Sequence, residues 1–207
     1  MVTTNWMNPK RIWDDISGKE LEWALVVAAR IEEMEEFRKH GVYIKVPIKE
    51  CMERTGKKPI GVRWVDINKG DEVNPEYRSR LVAKEIKINK RDDLFAATPP
   101  IEALKMLLSA AVTEGKGYRK GNREGGMKLE FIDVRRAYFQ ANAVRDVFVE
   151  LPEEDAEEGM CGMLLKSMYG TRDAAQNWEC SYVGAMIEMG LKGGLQFHVC
   201  FIMKNGM

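Results

Sequence analysis

Hydrophobic and polar positions alternate in two distinct rhythms along this chain, and the rhythm changes several times. Between Gly18 and Lys39, Trp23, Val27, Ile31, Met34 and Phe37 recur at helical spacing, with Glu32, Glu33, Glu35 and Glu36 on the other side. Ser17 with Glu20 has the form of a capping box, and Gly41 after the basic RKH turn suits a helix stop. The pattern predicts an amphipathic helix docked on a core, with no chemistry of its own.

Period-two segments follow. VYIKVPI (42–48), IGVRWVDI (60–67) and RSRLVAKEIKI (78–88) read as strands, and NKGDEVNPEY between the last two reads as a turn. The expected product is an antiparallel hairpin whose tip and second strand are basic, carrying Lys69, Arg78, Arg80, Lys84, Lys87, Lys90 and Arg91. Thr98 and Pro99 give start signals for a second helix running to Thr113. A Gly-rich basic stretch then leads into a strand opening at Leu129, and DVFVELP (146–152) alternates again before an acidic loop. A third helix is expected from Arg172 to Met189, stopped by Gly190, and QFHVCFIM (196–203) reads as a final strand. No 20–50-residue repeat occurs, so solenoids and propellers are excluded. Hairpins mixed with three helices point to an α+β fold.

Composition narrows the class. The 207 residues are 45% hydrophobic and 31% charged with zero formal net charge, which argues against a polybasic nucleic-acid binder but not against a local basic groove. Cys51, Cys161, Cys180 and Cys200 form no C-x-x-C pair, so free thiols in a reducing compartment are expected. The N-terminus has no signal-peptide core, and ALVVAA (24–29) is too short to span a bilayer. The expectation is a soluble intracellular protein with no membrane partner, nuclear or cytoplasmic.

Four constellations carry candidate chemistry. In KLEFIDVRRAYFQA, Asp133 stands at the end of an apolar run and Tyr138 follows five residues on. A strand-end carboxylate suits Mg²⁺, a hard ion, but a two-ion site needs more than one carboxylate, and spacing alone favours a solvated strand end. The basic hairpin suits a triphosphate or a nucleic-acid backbone, and equally a lysine-guarded edge strand. SMYGTRDAAQNW (167–178) runs a Gly turn into a helix, an arrangement open to phosphates and also commonplace. His198 and Cys200 alternate onto one face of the last strand, where a core role outweighs a zinc site.

Taken in order, these segments resemble the reverse transcriptase of copia-type LTR retrotransposons, from about residue 20 onward. IGVRWVDINK is similar to that family's W-V-F/Y-x-x-K strand, and RSRLVAKE to R-x-K-A-R-L-V-A-K-G. DLFAATPPIEALKMLLSAAV resembles T-F-A-P-V with its helix, and FIDVRRAYFQA resembles D-V-K-T-A-F-L-x-G. DVFVELPE is similar to E-x-V-Y-M-x-x-P, and LLKSMYGTRDAAQNW to L-x-K-S-L-Y-G-L-K-Q-A-P-R-A-W. The resemblance implies fingers and a partial palm over residues 41–207, preceded by an amphipathic helical lead-in at 1–40. It implies Asp133 as a catalytic metal ligand beside the Val134 carbonyl, with two Mg²⁺ ions in an intact relative. It further implies Tyr138 as the aromatic that excludes ribonucleotides, and Lys69, Arg78 and Arg80 near the incoming triphosphate. Tyr169 and Gly170 would border the nascent base pair and template. The implied partners are an RNA or DNA template with primer, deoxynucleoside triphosphates and the rest of a Pol polyprotein.

Two departures stand beside these matches. Asp173, Ala174, Ala175 and Gln176 replace Q-A-P-R, and the family's Y-V-D-D hairpin has no counterpart before Met207. Asp14-Asp15 and Asp92-Asp93 lie upstream of Asp133 in unrelated contexts. The expectation is a fragment that does not polymerise alone, the alternatives being a non-catalytic nucleic-acid-binding module or a relic of a decayed element.

Overall fold

The computed structural model describes residues 9–86, 101–122, 126–129 and 132–190, and the backbone alone of 192–194 and 197–202. The chain divides into two compact units, Met1–Leu94 with Ala137–Trp178, and Phe95–Arg136 with Glu179–Met207. Small antiparallel sheets and helices make up both, a mixed α and β architecture.

The first unit opens with a short hairpin, β1 (Ile12–Trp13) paired with β2 (Glu20–Leu21). Helix α1 (Trp23–His40) follows, then β3 (Tyr43–Pro47) and α2 (Ile48–Thr55). Strands β4 (Val62–Asn68) and β5 (Tyr77–Ala83) form the expected hairpin, in register from Val62↔Ala83 to Asn68↔Tyr77. The described elements of the second unit begin with α3 (Ile101–Ala111). The chain returns to the first unit at α4 (Ala137–Gln140), β6 (Phe148–Val149), a 3₁₀ turn (Glu153–Asp155) and β7 (Met160–Leu164). Strand β7 is central in an antiparallel sheet ordered β3-β7-β6. Helix α5 (Ala174–Glu188) starts in the first unit, and the hairpin β8 (Lys192–Gly194) with β9 (Phe197–Ile202) belongs to the second.

The core of the first unit joins α1 to the β4–β5 hairpin and the β3-β7-β6 sheet through Met34, Phe37, Val42, Leu81, Phe139, Val149 and Met168. A smaller cluster of Val46, Cys51, Phe148 and Cys161 sits under α2. Beside the apolar contacts lies a buried charge network. Arg30 of α1 binds Asp66 of β4 through two bonds, at 2.7 and 3.2 Å, and Glu154 at 3.3 Å. Ser79 donates to Asp66 at 2.6 Å, Trp64 Nε1 donates to Glu154 at 3.1 Å, and Trp23 and Trp64 rings lie 5.6 and 5.1 Å from the guanidinium.

Several expectations change. Helix α1 starts at Trp23 rather than Gly18, because Glu20 and Leu21 pair with β1 while the Ser17 N–H is taken by Asp14 Oδ1 at 2.7 Å. Its buried face is Val26, Arg30, Glu33, Met34 and Phe37, so Ile31 is exposed and Glu33 lies inward. Of the expected strand opening at Leu129, the described residues 129 and 132–134 are irregular, and Leu129, Ile132 and Val134 are exposed. A strand needs a ladder partner, and none pairs with them among the described residues. The alternating DVFVELP contracts to the two residues of β6. The start signals Thr98 and Pro99, the basic residues Lys87, Lys90 and Arg91, and the side chains of His198 and Cys200 lie outside the described residues. Cys51 and Cys161 are buried free thiols and Cys180 is an exposed one.

Candidate nucleotide and nucleic-acid interface

The β4–β5 hairpin sorts its side chains by strand alternation. Trp64, Asp66, Ser79, Leu81 and Ala83 point toward α1, where Asp66, Ser79, Leu81 and Ala83 are buried. Arg63, Val65, Ile67, Arg78, Arg80 and Val82 make the opposite face. The register sets each arginine across from an aliphatic residue: Arg63↔Val82, Val65↔Arg80 and Ile67↔Arg78. Arg63 is neutralised by Asp15 at 2.9 Å. Arg78, Arg80 and Lys69 have no carboxylate partner among the described residues, so the outer face carries net positive charge toward solvent. The tip that carries Lys69 is held by Asn68, whose Oδ1 accepts the N–H groups of Gly70 and Glu76.

Beside this face lies the turn at Tyr169 and Gly170. The Ala83 N–H donates to the Tyr169 carbonyl at 2.8 Å, which attaches the turn to the end of β5. Gly170 has φ +85°, and a Cβ there would collide with the Ala83 carbonyl oxygen and approach Val82 Cγ1 to 2.6 Å. Only glycine fits both the left-handed conformation and the close approach. The Tyr169 ring takes the Arg80 guanidinium at 4.5 Å and lies 4.7 Å from the Tyr138 ring of α4. Arg80, Tyr138, Tyr169 and Gly170 are therefore one cluster within the first unit, with Arg78 on the same face of β5 and Lys69 at the hairpin tip.

Asp133 and Val134 belong to the second unit and both are exposed. The Asp133 carboxylate has no hydrogen-bond or ion-pair partner among the described residues, so its hard oxygens are open to a cation of the Mg²⁺ kind. No group of three His, Cys, Asp or Glu side chains that could hold a metal occurs among the described residues. Asp14 and Asp15 are occupied otherwise. Asp14 accepts the N–H groups of Asn68, Ser17 and Ile16, which hold its carboxyl below the usual range, and Asp15 accepts from Asp66 N–H and Arg63.

A comparison with protein-family models matches residues 51–206 to the reverse transcriptase (RNA-dependent DNA polymerase) family. The chain belongs to that family. No curated protein and no solved structure matches it. Reverse transcriptase domains in general work on a nucleic-acid template with nucleotide substrates and use divalent metal ions. No described helix is long and apolar enough to cross a membrane.

A further ion-pair network joins the segment after β5 to the turn that leads into α5. Arg145 bridges Glu85, at 2.6 Å, and Asp173, at 2.9 Å, and the Glu85 carboxylate accepts the Arg172 N–H at 2.8 Å. Burial pushes the Asp173 carboxyl up, but Arg145 outweighs it and holds the group below its ordinary value. Asn177 donates to Asp173 at 3.3 Å. Asp173, one of the departures from Q-A-P-R, thus ties the turn after Gly170 to the segment after β5. The only sequence signal was Asp173 and Asn177 at i, i+4 spacing, because Glu85 and Arg145 are distant in the chain.

Proposed function

We propose that this chain is the fingers and part of the palm of a copia-type retrotransposon reverse transcriptase, with residues 1–40, which carry the β1–β2 hairpin and α1, as lead-in and 41–207 as the polymerase portion. The observation that supports it most is the pair of arginines without carboxylate partners among the described residues, Arg78 and Arg80, beside the Tyr169–Gly170 turn in a chain of this family. A guanidinium that no carboxylate neutralises suits a phosphate, because it donates in a planar fork and stays charged.

In the proposed reaction a primer 3′-hydroxyl attacks the α-phosphate of a deoxynucleoside triphosphate on an RNA or DNA template, and pyrophosphate leaves. Lys69, Arg78 and Arg80 hold the triphosphate, and Tyr138 crowds the sugar 2′ position, where a hydroxyl distinguishes a ribonucleotide. Tyr169 and Gly170 border the base pair being formed. The Asp133 carboxylate and Val134 carbonyl offer hard oxygens to Mg²⁺, and two such ions, when bound, align the attacking hydroxyl and stabilise the leaving oxygens. The 207 residues by themselves do not polymerise in this reading. Asp133 alone among their carboxylates matches a metal-binding position of the family, and one carboxylate does not fix two ions. The rest of a Pol polyprotein is the proposed source of the remainder.

The same arginines support a second reading, a nucleic-acid-binding module without catalysis that uses the basic β4–β5 hairpin. Photo-crosslinking tests the nucleotide site. An azido-deoxynucleoside triphosphate, with primer–template and Mg²⁺ present, is expected to label peptides containing residues 77–83 or 167–173. Labelling elsewhere, or labelling that excess unmodified triphosphate does not compete away, would remove the triphosphate assignment. Primer extension by the isolated chain, dependent on Asp133, would contradict the proposed inactivity.

A further inference from the structure

We infer that Tyr169 is a positioning residue that sets how strictly Tyr138 selects the sugar of a bound nucleotide, an inference that rests on the sugar-gate reading of Tyr138. Helix α4 is only four residues long, so its backbone offers Tyr138 little intrinsic rigidity. The neighbouring Phe139 is anchored, buried to 1% exposure with its ring 4.8 Å from Phe37. Tyr138 is not anchored in that way. It is partly exposed, its hydroxyl has no partner among the described residues, and Tyr169 is the one aromatic ring packed on it there.

Tyr169 is itself fixed from three directions. Its carbonyl is held by the Ala83 N–H, its successor Gly170 is pressed on Val82 and Ala83, and its ring carries the Arg80 guanidinium. The ring also touches Phe139, at 5.9 Å. The placement of Tyr138 is therefore delegated to a residue locked to β5, which also presents the arginines. Steric exclusion of a single hydroxyl tolerates only small displacements of the excluding ring, so loss of the support loosens the selection.

The test uses the whole 207-residue chain with primer–template and Mg²⁺, titrated with fluorescent dATP and fluorescent ATP. Wild type is expected to bind dATP at least about tenfold more tightly than ATP, and Tyr169→Phe, which keeps the ring, to retain that ratio. Tyr169→Leu and Tyr138→Ala are each expected to bring the ratio to within about threefold of one, and the double variant to go no further. If Tyr138→Ala collapses the ratio and Tyr169→Leu does not, positioning by Tyr169 is overturned while the gate stands. If Tyr138→Ala leaves the ratio unchanged, or wild type binds neither nucleotide, the gate reading fails and takes the inference with it. A nucleotide-free measurement guards against an indirect effect. Urea midpoints of wild type, both single variants and the double variant should be non-additive, and strict additivity would overturn the contact on which the inference rests.

Discussion

Gly170→Ala isolates the contact that builds the site. An added Cβ would collide with the Ala83 carbonyl oxygen, sit 2.6 Å from Val82 Cγ1 and 2.9 Å from the Ala83 carbonyl carbon. Two of these three neighbours are backbone, so they cannot swing away as a flexible side chain would. The φ of +85° adds strain of about 1 kcal/mol or more for a residue with a Cβ. Relief requires the turn to leave β5, which forfeits the Ala83–Tyr169 hydrogen bond, about 0.5–1.5 kcal/mol, and the Arg80–Tyr169 contact, about 0.5–1 kcal/mol. The total is about 2–4 kcal/mol, or a fall in Tm of about 5–15 °C for a chain of this size. Gly56→Ala is the matched control: its φ is +67° but nothing lies within 4 Å of the new Cβ. It should cost only the strain, about 1 kcal/mol and about 2–4 °C. Thermal and urea unfolding of the two variants measure the difference. If Gly170→Ala is no more destabilising than Gly56→Ala, the turn is not seated against β5 and the cluster around Tyr169 is wrongly built.

Arg30→Ala should destabilise by about 3–5 kcal/mol in urea unfolding, since it leaves Asp66 and Glu154 buried without their cation, whereas Arg11→Ala at the exposed Glu20 pair should change nothing measurable. Asp14→Asn should destabilise at neutral pH. The folded-state carboxyl is depressed, so its contribution is complete above the ordinary value near about 4 and disappears as pH falls through the lower folded value. The gap between wild type and variant should therefore narrow in unfolding curves taken below about pH 4, and a gap constant with pH would contradict the role given to Asp14. Cys161 is buried, and burial with the neighbouring Cys51 thiol pushes its pKa up to about 11, so a thiol reagent applied to the native chain should modify exposed Cys180 well before Cys51 or Cys161. Peptide mass mapping of the time course reads the order.

The legible parts of this chain were those whose signal is local. Strand alternation and turn chemistry placed the β4–β5 hairpin and with it the outer arginines, because a hairpin is specified by neighbours in sequence, although β5 ends at Ala83 and residues 84–86 of the expected 78–88 strand lie outside it. Helix α1 was legible as a helix, but not its buried face. Arg30 and Glu33 look like surface residues to any hydrophobic pattern, and Arg30 is buried only because Asp66, Glu154 and two tryptophans come to it from elsewhere. The sequence pattern predicts no strand at Met160–Leu164, yet β7 is the centre of its sheet. Gly162 is where the Tyr43 ring packs, 3.0 Å from a would-be Cβ, so the glycine serves a tertiary contact. Helix α2 was hidden behind Pro47, where an apparent strand runs straight into a helix. At the site, the ordered motifs named Arg80, Tyr138, Tyr169 and Gly170 separately, and the structure packs them together. That Arg80 stacks on Tyr169 while Arg63 is consumed by Asp15 depends on tertiary contacts no spacing reveals.

The salt dependence of primer–template binding tests the central claim most directly. Fluorescence anisotropy titrations from about 50 to 200 mM salt give a slope of log affinity against log salt that reports the number of phosphates neutralised. Arg78→Ala with Arg80→Ala should weaken binding and make the slope shallower by about 2, while Arg63→Ala, whose charge Asp15 already takes, should leave it nearly unchanged. A wild-type slope near zero, or the same slope in wild type and the double variant, would contradict the assignment of this face to nucleic-acid or nucleotide phosphates.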